Sequence, residues 1–134
     1  MHPQDDLIKS TFVPSVVLDA DGIICIDFTD CTRITLSIVE SVYAQHRRLC
    51  PDRRSPVMMV GRWVGRVDHP AQRFAASPEV AAQTLAMAFV VSSFLQRHLA
   101  RMFLMYQRPP FAVQVFTDGV AARRWLLSQH AISP

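Results

Sequence analysis

The chain has 134 residues, half of them hydrophobic and 19% charged, with a formal net charge of +3 at pH 7. That length and apolar content suit one domain with a buried core and exclude a disordered tail, a collagenous segment or a disulfide-stapled mini-protein. Thirteen of the fourteen basic residues are arginine and Lys9 is the single lysine; against eleven acids this is a mild bias toward anionic partners and falls short of a nucleic-acid footprint.

Residues 1–11 are polar, hold Asp5 and Asp6 with no apolar run, and read as a flexible lead-in, not a signal peptide; the domain is expected over 12–130. Val16, Val17 and Leu18 lead into Asp19-Ala20-Asp21-Gly22, a tight turn, and Ile23 to Phe28 returns as a second apolar run, so the chain should open with a hairpin. Thr29 or Asp30 is placed to cap a helix from about Thr32 to Leu49, with Ile34, Ile38, Val42 and Leu49 on one face and Arg47 and Arg48 at its negative end. Val57 to Val60 forms the third strand. A helix begins near His69, with Pro70 in its first turn, and breaks at Ser77-Pro78-Glu79. Leu85 to Val91 is the fourth strand, Ser92 and Ser93 cap a helix to about Gln107, and Pro109-Pro110 ends it. Phe111 to Phe116 is the fifth strand; Thr117 and Asp118 cap the last helix, where Ala121 and Trp125, then Ala122 and Leu126, stack four apart.

The order is strand, strand, helix, then strand–helix three times, which predicts an α/β domain with a largely parallel sheet. Strands 2, 3 and 4 are nearly unbroken apolar runs, as burial on both faces requires. The longest uncharged stretch, Val80 to Gln96, falls short of the ~20 residues that span a bilayer. It contains Gln83, Thr84, Ser92 and Ser93, and Arg97 follows, so it is expected to be buried, not spanning. Cys25, Cys31 and Cys50 have no CxxC or metal-finger spacing, and an odd number of thiols points to a reducing cytoplasm.

Three local patterns join this element order: the hairpin Leu18 to Phe28, the Arg73-Phe74-Ala75 stretch before the broken helix, and Phe116-Thr117-Asp118, Ala121-Ala122 and Trp125-Leu126 at the end. Together they resemble the STAS or SpoIIAA-like proteins over about residues 15–128, in particular small stand-alone bacterial SpoIIAA-like proteins of unassigned function. The resemblance implies a β-α superhelix: a five-stranded mixed sheet with an N-terminal hairpin and about four helices, mostly on one side. It also implies regulatory protein–protein binding, lipid or small-ligand binding as an alternative, and no established catalysis. The anti-sigma-factor antagonists of that fold carry a phosphorylatable serine in an Asp-x-Ser-Gly-like turn after the third strand. Here that turn reads Gly61-Arg62-Trp63-Val64-Gly65-Arg66-Val67-Asp68, with no serine between Ser55 and Ser77, so neither the phosphorylation switch nor a kinase partner is expected.

The loop after strand 3 is the first candidate site, because ligands of open α/β sheets bind outside the carboxyl ends of the strands. Arg62, Arg66, Asp68 and His69, with Arg73 just beyond, could meet an anion or a partner, and Trp63 adds an amphipathic surface. The competing reading is a solvated arginine-rich loop whose Trp63 packs back on the domain. The second candidate is the helix after Ser93. Leu95, Leu99, Met102, Phe103 and Tyr106 suffice for its core face, which leaves Phe94 and Met105 on a flank beside His98 and Arg101. Apolar, Met-bearing surface rimmed by arginine suits self-association, here a homodimer, in preference to a membrane-surface face.

Other signals are weaker. Cys31 would have a lowered pKa at a helix N-terminus, but no histidine adjoins it. Asp68-His69 could pair as acid and base, yet no nucleophile accompanies them. His46 and His98 read as surface or packing groups. No HExxH, phosphate loop or nucleophile elbow occurs. The Arg47-Arg48, Arg53-Arg54 and Arg123-Arg124 clusters lack a nucleic-acid module and read as solvated surface. The expected function is therefore a cytoplasmic, non-catalytic interaction domain, homodimeric and without metal or cofactor. The alternative is a carrier or sensor of a lipid or small anionic or apolar ligand at the membrane surface.

Overall fold

A computed structural model describes residues 14–31, 33–61, 67–107 and 109–132. It has five strands, β1 (Ser15–Leu18), β2 (Ile24–Asp27), β3 (Ser55–Val60), β4 (Thr84–Val90) and β5 (Ala112–Phe116). Between and after them lie α1 (Leu36–Leu49), α2 (His69–Ala75), the single-turn α3 (Pro78–Ala81), α4 (Phe94–Gln107) and α5 (Gly119–Ile132). This is the expected α/β class: a mixed sheet in the order β1-β2-β3-β4-β5, antiparallel in the opening hairpin and parallel thereafter.

The hairpin turns where the sequence predicts. Asp19 Oδ1 accepts from the backbone N–H groups of Asp21 and Ile23, and Gly22 takes a φ of 83°, a conformation L side chains rarely adopt. The start of α1 differs from expectation. Thr29 and Asp30 do not cap it; Thr29 N–H is held by Asp27 Oδ1, and Ile34 is drawn into a parallel bridge with Val67. Extended backbone at Ile34 delays the helix until Thr35, whose hydroxyl accepts from Ile38 N–H. Pro56 lies in the central strand β3, where a missing N–H would normally break the ladder. It is tolerated because the register shifts there: Ser55 faces Thr84 and Pro56 faces Ala86, leaving Leu85 as the extra residue of a bulge. The bulge also turns Thr84 to the same side of the sheet as Met87.

Each crossover from β2 to β5 steps to the next strand in the same direction, and connections of one hand then place every intervening helix on one face. There Ile24, Ile26 and Val57 pack with Ile38 and Val42 of α1, and Phe89 and Val115 pack with Ala100 and Leu104 of α4. After the last strand, α5 folds to the opposite face, where Ala122 and Leu126 lie against Ala86, Ala88 and Ile23. Leu49, expected on the buried face of α1, is exposed. That face instead continues from Ile38 and Val42 to His46, at steps of four residues.

Candidate functional site

Of the loop after β3, Arg62, Trp63 and Arg66 lie outside the described residues. Asp68 is a structural residue. Its carboxylate accepts from Arg33 Nε at 2.9 Å and Nη2 at 3.1 Å. Its backbone N–H donates to Ile34 O, and its carbonyl accepts from Gln72 N–H at the start of α2. Asp68 thus ties the β2–α1 connection to α2 and is engaged by Arg33, not by its neighbour His69. His69 and Arg73 point to solvent on α2. The described part of this region brings no acid–base pair together.

The face of α4 differs from the sequence reading in a way that enlarges the candidate surface. Leu95, Leu99 and Met102 do not form a core face; all three are exposed, as are His98 and Arg101. The helix docks instead through Ala100 and Leu104, whose smaller combined bulk lets it approach Val115 at the sheet edge. The side chains of Phe103 and Tyr106 lie outside the described part of the structure. What remains outward is a continuous apolar stripe in two rows four residues apart. Phe94, His98 and Met102 form one row, Leu95 and Leu99 the other, and Met105 closes the far end. Phe94 is 76% exposed and Met105 75%.

A second feature was not legible as a site in the sequence. Between the sheet and the helices of its crowded face lies a cavity of about 150 Å³. Met59, Met87, Phe89 and Val113 rise from the sheet to line it, α2 and α3 contribute Ala75, Ala76 and Val80, and Pro109 and Phe111 border it from the α4–β5 connection. Among the described residues no Asp, Glu, Lys or Arg lines it; the polar side chains there are Tyr43, His46, Gln72 and Thr84. Gln72 Nε2 already donates to Val67 O at 2.8 Å. His46 is only 5% exposed, and its Nε2 has no hydrogen-bond partner. Burial pushes its pKa below the ordinary histidine value, so the ring is neutral near pH 7. An orphan buried polar atom of this kind typically costs about 1–3 kcal/mol. The i, i+4, i+8 spacing from Ile38 was the sequence signal that His46 faces inward; the void beside it has no sequence signature.

The remaining candidates are structural. Cys31 precedes α1 by several residues instead of opening it, and burial together with Asp30 and Asp27 pushes its thiol pKa up, the reverse of activation. Arg123 is taken up by Asp19 and Asp21, at 2.6 and 2.8 Å, pinning α5 to the hairpin turn. Among the described residues no group of three His, Cys, Asp or Glu side chains could hold a metal ion. No described helix is long and apolar enough to cross a membrane.

A family model described as "Domain of unknown function (DUF7793)" matches residues 16–130, which takes in every element from the hairpin to α5. No curated protein matches the chain. Among solved structures, a protein with unknown function from Arthrobacter sp. FB24 is 27% identical over 83% of this chain and 90% of that one, with a TM-score of 0.30. That overlap is too low to carry an argument about fold or role.

Proposed function

We propose that this chain, which belongs to the family described as "Domain of unknown function (DUF7793)", is a non-catalytic interaction domain that pairs with a second copy of itself through the outward face of α4. One observation carries the reading: Phe94, Leu95, Leu99, Met102 and Met105 are all exposed on a single fourteen-residue helix. At ~200 Å² for a fully exposed large side chain, they present roughly 600 Å², at the upper limit of what monomers leave open. Two such faces laid together bury on the order of 1,200 Å², where specific stable interfaces begin.

A second copy suits this face better than a lipid surface. An interfacial helix presents a strongly charged face to water opposite its apolar one, whereas the opposite side of α4 is docked on the sheet through Ala100 and Leu104. His98 and Arg101 sit among and beside the apolar side chains and would form the polar rim of a protein interface. The resemblance to STAS and SpoIIAA-like proteins supports the same kind of role, regulatory binding without a phosphorylation switch. Three free thiols at Cys25, Cys31 and Cys50 suit a reducing cytoplasm.

Sedimentation velocity at micromolar concentration tests the pairing. The protein should run as a dimer, and the Phe94→Asp/Met105→Asp double variant should run as a monomer with an unchanged circular dichroism spectrum. A wild-type monomer, or a monomer that floats with vesicles of anionic phospholipid, overturns the reading.

A further inference from the structure

We propose that the cavity between the sheet and α1–α4 is a binding site for the unbranched aliphatic tail of a single-chain amphiphile, whose polar head stays in water at the rim of the pocket. The inference is independent of the outward α4 face and rests on the length, the surface and the opening of the pocket.

Length comes first. The walls run from Phe28, Ile34 and Val67, by the carboxyl ends of the strands, to Thr84, Pro109 and Phe111, by their amino ends. On β4 alone the lining extends from Thr84 to Phe89, about 15 Å at the ordinary rise of a strand. A void of about 150 Å³ drawn out over that distance is slender, the shape of an extended chain and not of a compact ring system.

The surface is one that lacks cover. Met59, Met87 and Phe89 stand on β3 and β4, inside the sheet, yet are only half-buried, whereas Ala86 and Ala88 on the opposite face of β4 are completely buried. Inner strands of a parallel sheet normally hide such side chains on both faces, and a tail laid along them supplies the missing contact. Met59 and Met87 suit that role, because unbranched, polarisable thioethers mould themselves to an irregular neighbour. Of the polar walls, Gln72 Nε2 is held by Val67 O, and His46 Nε2 is buried beyond the reach of anything in the void. Recognition falls mainly to carbon and sulfur.

The opening makes the ligand an amphiphile. Ala76, Val80, Pro109 and Phe111 are all half-buried and meet solvent around the amino-terminal end of the pocket. A tail that enters there leaves its head outside with its hydration intact, so a charged head carries no desolvation cost and an uncharged one needs no partner.

Hexanoate, octanoate and decanoate, each below its micellar concentration, probe length. Octanol probes the head, and adamantane carboxylate, which puts the head of decanoate on a compact hydrocarbon of similar size, probes shape. The readout is methyl NMR of the methionines in the full chain. The alkanoates should shift Met59 and Met87 saturably and leave Met102 and Met105 of α4 in place, with affinity rising about 15-fold for each two methylenes added. Octanol should shift the same pair, and adamantane carboxylate should shift neither. Val113→Trp, which raises a ring from the floor of the pocket, and Ala76→Phe, which adds one at the rim, should each abolish the decanoate shifts with an unchanged circular dichroism spectrum; should one variant fail to fold, the other decides. Still signals at Met59 and Met87 with every alkanoate, shifts centred on Met102 and Met105, an affinity indifferent to chain length, equal binding of the compact carboxylate, silence with octanol, or undiminished binding in a folded variant overturns the proposal.

Discussion

The two faces of the sheet are built on opposite packing strategies. On the α5 face the contact is small against small: Ala86 and Ala88 of β4 meet Ala122 of the helix, all completely buried, with Leu126 and Trp125 filling the margins. One helix suffices because its backbone can come close. On the other face the sheet projects Val57, Met59, Met87 and Phe89, and four helices share the work of covering them. Larger side chains hold the helices off, the break at Ser77-Pro78 leaves α2 and α3 as short pieces, and the void by His46 is the unfilled remainder. Both faces are sealed by hydrophobic burial, and the loosely filled one keeps a cavity among its described residues.

That contrast is broken most sharply by changing side-chain volume on each face. Leu126→Ala removes a fully buried side chain from the close-packed face and should cost about 2–5 kcal/mol in chemical denaturation. Ala88→Leu adds volume to that face and should cost about 1–3 kcal/mol, since neither β4 nor α5 can retreat without opening the sheet contact. Ala76→Leu adds the same three carbons beside the cavity and should be neutral or stabilising by up to about 1 kcal/mol. Equal penalties at Ala88 and Ala76 would mean that the two faces are packed alike.

Much of this arrangement is legible in the sequence. Unbroken apolar runs such as Ile23–Phe28 required strands sheltered on both sides, and the cap residues Ser93 and Asp118 marked helix starts that the hydrogen bonds to Gln96 and Val120 N–H bear out. The start of α1 was not legible, because the bridge from Ile34 to Val67 is made across more than thirty residues and leaves no local mark. The inner face of α4 departs from the sequence pattern for a related reason. Periodicity offers two apolar stripes, Leu95-Leu99-Met102 and Ala100-Leu104, and the bulkier one reads as core, but a helix at a sheet edge docks by whichever stripe lets the backbones approach. The cavity is the clearest limit. Each of its walls reads as ordinary core, and a void is a property of how elements of different length meet.

The polar residues of the two faces should respond to pH in separate windows, with a smaller effect than the volume changes. His46 has a folded-state pKa below its ordinary value because burial penalises the charged ring. Its neutral form therefore belongs to the folded state, and the unfolded chain takes up the proton first. Stability should be fully present above about pH 6.5 and should fall as the pH drops below it, by no more than about 1.4 kcal/mol per pH unit for one proton. Urea midpoints between pH 7.5 and 5 should decline in the wild type and flatten in His46→Leu; parallel slopes would show that His46 is not what the protein loses in mild acid.

On the α5 face the comparable polar feature is the clasp of Arg123 on Asp19 and Asp21, and it should matter least. Burial raises the Asp19 carboxyl, but the Ile23 and Asp21 N–H groups and the Arg123 guanidinium outweigh it and hold the pKa below the usual value. Its contribution is present above about pH 4 and lost as the pH falls through the lowered value, well below the His46 window. Arg123 is over a third exposed, so its pair with Asp19 is screened, and Arg123→Ala should cost at most about 1 kcal/mol, less in high salt. The backbone N–H groups would still hold the Asp19 carboxylate, leaving the turn at Gly22 intact. A loss from Arg123→Ala as large as that from Ala88→Leu would show that α5 is held to the sheet by its charged clasp, and that the small-residue contact beneath it is a consequence of that docking and not its cause.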